Sequence, residues 1–290
     1  MKLCNFEVAN DKSLFLIAGP CVIESEKIAI ESAIFLKELS ERLKINFIYK
    51  TSFEKANRTS IHGYTGPEFK EAIRILRRIK EEIGLPILTD VHEYTPLEEV
   101  SSLVDVLQTP AFLCRQTSFI KKVMAQGKPV NLKKGQFLSP WEMGQVVEKA
   151  KAMGNNRLMV CERGVTFGYN NLVVDMRALE ILKKTNCPVI FDAGHAVQQP
   201  GGMGVASGGQ REFIPVLAKA AVAVGIAGLF IETHPEPDQA LCDGPNMLRL
   251  DDLEPLLLTL QQLDRVVKEG NLRNSAPYRH PPASTGGSTF

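Results

Sequence analysis

The sequence has no long apolar run. Nothing approaches the roughly 20 residues a helix needs to span a bilayer, so no membrane contact is expected. It also has no C-x-x-C pair. Its six cysteines (Cys4, Cys21, Cys114, Cys161, Cys187 and Cys242) are scattered, which suits a reducing compartment better than a disulfide framework. Neither sign of charge is in excess: 34 Lys and Arg face 33 Asp and Glu, leaving +1. That balance gives no footprint for nucleic acid or for an anionic membrane, so any recognition of anions must be local. The opening MKLCNFEVANDKS lacks the apolar core and cleavage site of a secretory signal, and a cytoplasmic protein is expected. A G-x-G-x-x-G turn is missing too. The first strand candidate runs into Gly19-Pro20-Cys21, which argues against an open dinucleotide-binding sheet.

What is present is a 44% hydrophobic fraction beside 23% charged residues, ordinary for a globular chain with a large core. Short apolar runs alternate with longer amphipathic ones. Strand candidates are 14–18, 46–49, 86–88, 104–107, 129–132, 158–161, 188–191 and 228–231. Helix-period segments include 25–43, 66–83, 140–153, 211–224 and 253–268. Units of strand then helix, with no hairpin among them, predict a parallel sheet. Strands apolar throughout are buried on both faces. Eight such units in about 250 residues predict one closed (β/α)₈ TIM barrel, spanning 1–270. The first dozen residues would form a strand or hairpin closing its bottom. The segment 271–290, rich in Pro, Ser, Thr and Gly, is expected to be a flexible tail.

Polar residues follow every strand candidate on the same side. Lys50, Lys55, Asn57 and Arg58 follow the second; Asp90, His92 and Glu93 the third; Gln108 and Arg115 the fourth. Lys133 and Lys134 follow the fifth, Glu162 and Arg163 the sixth, Asp192 and His195 the seventh, Glu232 and His234 the eighth. In a closed barrel these positions form one circular mouth, where barrel enzymes place their sites. Six cations (Lys50, Lys55, Arg58, Arg115, Lys133 and Arg163) come from strands two to six, and clustered cations call for anions. Six exceed the need of one phosphate, so two anionic substrates, or one with several anionic groups, fit better. Any one of them alone reads as well as a salt-bridge partner.

Strands seven, eight and one bring His195, Glu232 and Cys21, with Asp243 close behind. Thiolate, imidazole and carboxylate together suit Zn²⁺, Fe²⁺ or Mn²⁺. His234 is the rival ligand, and a lone Cys at a strand end often packs as a small hydrophobe. The Gly-rich stretch 199–209 reads as a phosphate cradle, a lid or a plain connection.

Several strings carry a resemblance: Lys50-Thr51-Ser52-Phe53-Glu54-Lys55-Ala56-Asn57-Arg58-Thr59-Ser60, Thr89-Asp90-Val91-His92-Glu93, and Gln108-Thr109-Pro110-Ala111-Phe112-Leu113-Cys114-Arg115-Gln116-Thr117. Asn131-Leu132-Lys133-Lys134-Gly135-Gln136-Phe137, Cys161-Glu162-Arg163-Gly164 and Ala206-Ser207-Gly208-Gly209 extend it. Over 14–268 the chain resembles the 3-deoxy-D-manno-octulosonate 8-phosphate (Kdo-8-phosphate) synthases. The resemblance implies condensation of phosphoenolpyruvate with D-arabinose 5-phosphate and water, releasing phosphate, in lipopolysaccharide biosynthesis. It implies no organic cofactor, and a homotetramer in which Arg58 reaches a neighbouring active site.

Carried over by position, Ala111, Arg115, Lys133 and Arg163 match the phosphoenolpyruvate pocket, and Lys50 and Lys55 the catalytic lysines near the carboxylate and aldehyde. Asn57, Arg58 and Thr59 match the arabinose 5-phosphate segment. Asp90 matches a catalytic-site residue at the sugar hydroxyls, while Gln108 and Ser207 lie in the substrate-binding strings. Cys21, His195, Glu232 and Asp243 match the metal ligands of the metal-dependent branch, with His195 also in a catalytic position. Cys242-Asp243-Gly244-Pro245 is similar to the metal-independent branch, where Asn usually stands at the position of Cys21, but the metal-dependent class is expected because Cys21 supplies the soft ligand and the other three are present.

Three rival readings stand beside this one. A heptulosonate-phosphate synthase using erythrose 4-phosphate would usually read Lys-Pro-Arg-Thr where this chain has Lys55-Ala56-Asn57-Arg58-Thr59. A Schiff-base aldolase would use Lys50 or Lys133 as nucleophile. A non-catalytic phosphosugar-binding barrel would use the cations without turnover.

Overall fold

Eight parallel strands close on themselves in the computed structural model, which describes residues 1–58, 60–202 and 207–273. The strands are β1 (Phe15–Gly19), β2 (Phe47–Lys50), β3 (Ile87–Asp90), β4 (Val106–Thr109), β5 (Val130–Lys133), β6 (Leu158–Glu162), β7 (Val189–Asp192) and β8 (Gly228–His234). Each pairs with the next. Closure comes at β8, where Phe230 stands opposite Asp192 of β7 and Ile17 of β1. One helix follows each strand: α1 (Glu26–Leu43), α2 (Phe69–Arg78), α3 (Leu97–Leu103), α4 (Thr117–Met124), α5 (Glu142–Lys151), α6 (Arg177–Lys183), α7 (Ile214–Val224) and α8 (Leu250–Arg273). This is the TIM barrel that the alternation predicts.

Side chains alternate across a strand, and the barrel uses that alternation to build two cores. Ile17, Ile48, Leu88, Val106, Met159, Ile190 and Phe230 fill the inside. Leu16, Phe47, Ile87, Leu107, Leu132, Val160 and Ile231 point outward and join the core that contains the helices. A short antiparallel hairpin, Lys2–Leu3 with Phe6–Glu7, adds Leu3 and Val8 to the inner core. It closes the N-terminal end of the barrel, as expected, and the buried charged residues Lys50, Asp90, Lys133, Asp192 and Glu232 lie at the other end.

The same period positions the site. Two residues beyond Ile48, Leu88, Val106, Ile190 and Phe230 stand Lys50, Asp90, Gln108, Asp192 and Glu232, each on its strand's inner face. Lys133 likewise stands two beyond the buried Asn131. The apolar runs of the sequence end before these residues, because hydrophobicity stops at the first polar side chain. The structure corrects this: these residues lie inside the strands, since the ladder is made by backbone groups whatever the side chain.

The helix ends follow local rules. Ser25 caps α1 by accepting from the Ile28 N–H at 3.2 Å. The helix expected over 66–83 begins at Phe69 and ends in a π turn, Ile79–Ile83. The last helix runs to Arg273, past the boundary drawn at 270. Thr59, Ala206 and the tail from 274 to 290 lie outside the described residues.

Gly19 ends β1 beside the Lys50 backbone at the end of β2. A Cβ there would lie 2.0 Å from the Lys50 carbonyl oxygen, a backbone atom with no room to move. Gly19→Ala should therefore destabilise the barrel by about 1–3 kcal/mol or more. Urea unfolding should show a lower midpoint at unchanged slope. An unshifted midpoint would mean that the close approach carries no load.

Candidate active site

The C-terminal mouth opens into a cavity of about 550 Å³ lined by the strand ends and the loops beyond them, a size suited to small-molecule substrates. Beneath the strand ends lies the buried Phe230 ring. The Lys133 Nζ lies 4.1 Å and the Lys50 Nζ 5.7 Å from the centre of that ring, so each ammonium rests on an aromatic face. Above it the buried charges pair across strands. Lys50 donates to Glu232 Oε1 at 2.5 Å and to the Cys21 carbonyl at 2.9 Å. Asp90 Oδ2 lies 3.6 Å from the same ammonium. Lys133 Nζ stands 2.6 Å from Asp192 Oδ2. Buried ion pairs of this kind offset much of the desolvation each charge would otherwise cost.

That pairing divides the six expected cations. Lys50 and Lys133 are neutralised by buried carboxylates, and Arg115 stands 62% exposed, 3.8 Å from Glu142 and away from the cavity lining. Lys55, Arg58 and Arg163 line the cavity with no carboxylate within 4.0 Å among the described residues. Arg58 Nη1 donates to the Lys55 carbonyl at 2.8 Å, and its Nε is buried without a partner. Arg163 is 3% exposed, donates from Nη2 to Gln198 at 2.7 Å, and leaves Nη1 buried and unpartnered. A guanidinium held dry with a free N–H is a prepared anion site. Within the single chain, three of the six expected cations thus face the cavity without a carboxylate partner, because barrel closure brings Asp192 and Glu232 against two of the others.

The other expected residues lie in or under the same cavity. Asn57, Ala111 and Ser207 line the cavity. Gln108 lies beneath it, donating to Asp90 Oδ1 at 2.7 Å and accepting from Asn131 at 2.7 Å. Ser52, which sequence reasoning passed over, donates to Asp90 Oδ2 at 2.6 Å. Only its place two residues beyond the Lys50 strand end signalled it. The Gly-rich stretch returns on itself: Gln198–Gln199 pairs antiparallel with Gly208–Gly209, and Pro200, Gly201 and Ser207 reach the cavity.

Burial by itself would raise the Asp90 carboxyl. Lys50, Lys133 and Lys55 outweigh it and hold the group well below the usual carboxylate range. A carboxyl depressed in the folded state stabilises the fold above its unfolded value of about 3.9. That stability is lost as pH falls towards the folded value. Asp90→Asn should therefore flatten the fall of unfolding free energy below about pH 4, by up to about 1.4 kcal/mol per pH unit. Denaturant titrations at several acid pH values check this, and parallel slopes for the two proteins would contradict it.

The second half of the mouth gathers metal-type donors. The ligand atoms of His195, Glu232 and Asp243 all lie within 4.8 Å of one another, and so do those of Cys21, Cys242 and Asp243. Asp192 Oδ2 stands 2.8 Å from His195 Nδ1, so we assign the proton to Nδ1 and the lone pair to Nε2. His195 Nε2 faces Glu232 Oε2 at 3.7 Å, and that oxygen is buried without a partner. Burial pushes the Cys21 thiol well above its ordinary range, and Cys242 and Glu232 push the same way. A bound cation reverses that preference. The orphaned oxygen, the free imidazole nitrogen and the thiol fit a borderline divalent cation. His234 does not join them. Its Nδ1 accepts from the Glu236 N–H at 3.0 Å and its Nε2 lies 3.6 Å from Glu24.

Comparison with known proteins finds relatives over nearly the whole chain. The profile of the DAHP synthetase I family matches residues 5–269. A 2-dehydro-3-deoxyphosphooctonate aldolase of Legionella pneumophila (strain Corby) is 65% identical over 269 residues, covering 93% of this chain and 98% of its own. One of Stenotrophomonas maltophilia (strain R551-3) is 64% identical over the same shares. One of Thioalkalivibrio sulfidiphilus (strain HL-EbGR7) is 63% identical over 268 residues, 92% of this chain and 96% of its own.

Proposed function

Because the chain belongs to the DAHP synthetase I family and shares 63–65% identity with 2-dehydro-3-deoxyphosphooctonate aldolases, we infer that it is a Kdo-8-phosphate synthase. It condenses phosphoenolpyruvate with D-arabinose 5-phosphate and water and releases inorganic phosphate. One observation carries the reading at the site: three cations without carboxylate partners, Lys55, Arg58 and Arg163, line a single cavity. Arg163 follows β6, while Lys55 and Arg58 follow β2, the strand across the barrel in the closed order. Anion sites at opposite poles match two phosphorylated substrates meeting head to head.

Arg163 takes the phosphate of phosphoenolpyruvate, with Lys133 beside it over the Phe230 ring. Arg58 takes the sugar phosphate, and Thr59 and Asn57 belong to the same segment. Asp90, held by Ser52 and Gln108, accepts hydrogen bonds from sugar hydroxyls. Held this way, C3 of phosphoenolpyruvate faces the aldehyde carbon, and such positioning supplies a large share of the rate. Negative charge develops on the aldehyde oxygen as the C–C bond forms. Lys55 stabilises it. Burial would lower its ammonium, but Cys21, Glu232, Cys242 and Asp243 outweigh this and raise it well above its ordinary range, so it acts as a donor of positive charge. Water then adds at C2 and phosphate leaves.

Cys21, His195, Glu232 and Asp243 would hold a divalent cation, whose chemistry there is Lewis-acid polarisation of a substrate oxygen. Asp192 keeps His195 in the tautomer this requires. The enzyme assembles as a homotetramer, and Arg58, which lines its own chain's cavity, serves that cavity rather than a neighbour's. A Schiff base is disfavoured at Lys50 and Lys133, since both ammonium groups are buried against carboxylates.

The test is phosphate release from phosphoenolpyruvate with D-arabinose 5-phosphate or erythrose 4-phosphate, each with and without a chelator. Turnover is expected with the pentose phosphate, abolished by extensive chelation and restored by Zn²⁺, Fe²⁺ or Mn²⁺. Preference for erythrose 4-phosphate would overturn the substrate assignment. Full activity in metal-free protein would overturn the metal alone.

A further inference from the structure

The mouth holds one thiol that the reaction leaves unused. Cys242 Sγ lies 3.6 Å from Cys21 Sγ, and Asp243 Oδ2 stands 3.3 Å from the first cysteine's partner atom, Cys21 Sγ, and 3.6 Å from Cys242 Sγ. These three donors make a triangle. For a tetrahedral zinc with Zn–S of about 2.3 Å and Zn–O of about 2.0–2.2 Å, a sulfur–sulfur edge is about 3.8 Å and a sulfur–oxygen edge about 3.6 Å. The triangle has nearly those edges. Thiol hydrogen bonding alone is a weak reason for such a cluster, since S–H is a poor donor. A second feature points the same way from the opposite side: the 1% exposed Glu232 aims its unpartnered Oε2 at His195 Nε2. Asp243 belongs to both donor groups, which adjoin through its carboxylate.

We propose that Cys242 is itself a metal ligand, so that the site presents two thiolates, from Cys21 and Cys242, beside Asp243. His195 and Glu232 close it from the far side. The inference rests on the metal reading above and deepens it. Two soft donors favour thiophilic cations such as zinc and cadmium over manganese, which narrows the class of ion the site takes. Cys242 is partly exposed whereas Cys21 is fully buried. Cys242 is therefore the ligand an entering ion meets first.

The test uses the reduced full chain, stripped of metal and titrated with Co²⁺, whose thiolate charge-transfer absorption scales with the number of bound sulfurs. Cys242→Ser and Cys21→Ser should each keep about half of the absorption, and the double variant none. In Cys242→Ser the preference for Cd²⁺ over Mn²⁺ should fall by roughly tenfold or more. X-ray absorption on the zinc-loaded, unsubstituted protein should count two sulfurs at about 2.3 Å, which needs no variant to fold. Full absorption in Cys242→Ser, or a single sulfur on zinc, overturns the proposal and leaves the metal reading standing. Absence of Co²⁺ and zinc binding in the unsubstituted protein overturns both.

Discussion

Arg163→Ala is expected to lower kcat/KM for phosphoenolpyruvate by roughly 10²- to 10³-fold. The guanidinium is 3% exposed and has no carboxylate partner among the described residues, yet one N–H group is buried and unpartnered. Burial pushes its pKa down, while Asp192, Asp243 and Glu162 act from a distance to raise it. Such a group costs stability until an anion arrives. A phosphate that loses it is left desolvated beside Gln198 and Lys133, and that loss sets the size of the effect. Stability should move the other way: removing an uncompensated buried charge should leave the thermal midpoint unchanged or raise it. Arg163→Lys keeps the charge but loses the planar fork, and should fall between. Initial rates of phosphate release against phosphoenolpyruvate concentration, with a thermal melt of each protein, decide the matter. A kcat/KM within about threefold of the unsubstituted enzyme would refute the role.

Lys55→Met should reduce kcat by roughly 10³-fold, with a much smaller change in KM. No hydrogen bond or ion pair ties the Lys55 ammonium among the described residues, although it lines the cavity beside Glu232, Cys242 and Asp243. It is therefore free to meet charge that develops during the reaction, and an interaction made only in the transition state appears in kcat. Lys50 provides the contrast. Its ammonium is already committed to Glu232 and the Cys21 carbonyl, so Lys50→Met should lower unfolding free energy as well as rate. Steady-state kinetics and urea unfolding of both variants separate the two roles. Equal loss of stability in both would show Lys55 to be structural.

The placement of the mouth's charged residues was legible in the sequence because it is local. Lys50, Asp90, Asp192 and Glu232 each stand two residues past an inward apolar side chain on a short strand, and period two puts each beside the cavity. The error at the strand ends had the same origin, since an apolar run stops where the ladder does not. Cys21, His195, Glu232 and Asp243, which the fold brings into two adjoining donor groups, were legible as residue types. Cys242 was passed over because its place beside Cys21 depends on a turn in which Asp243 adopts a left-handed backbone (φ 53°), which no periodicity announces.

The eight repeats of strand and helix, the hairpin under the barrel, and the side on which polar groups gather were determined by the sequence itself. Each follows from alternation and from the short reach of turns, which neighbouring residues decide. Which cations remain free for anions was decided only in three dimensions. Lys50 meets Glu232 across 182 positions, and Lys133 meets Asp192 across 59. Those pairings exist because the barrel closes in one register, and closure is a property of all eight strands together.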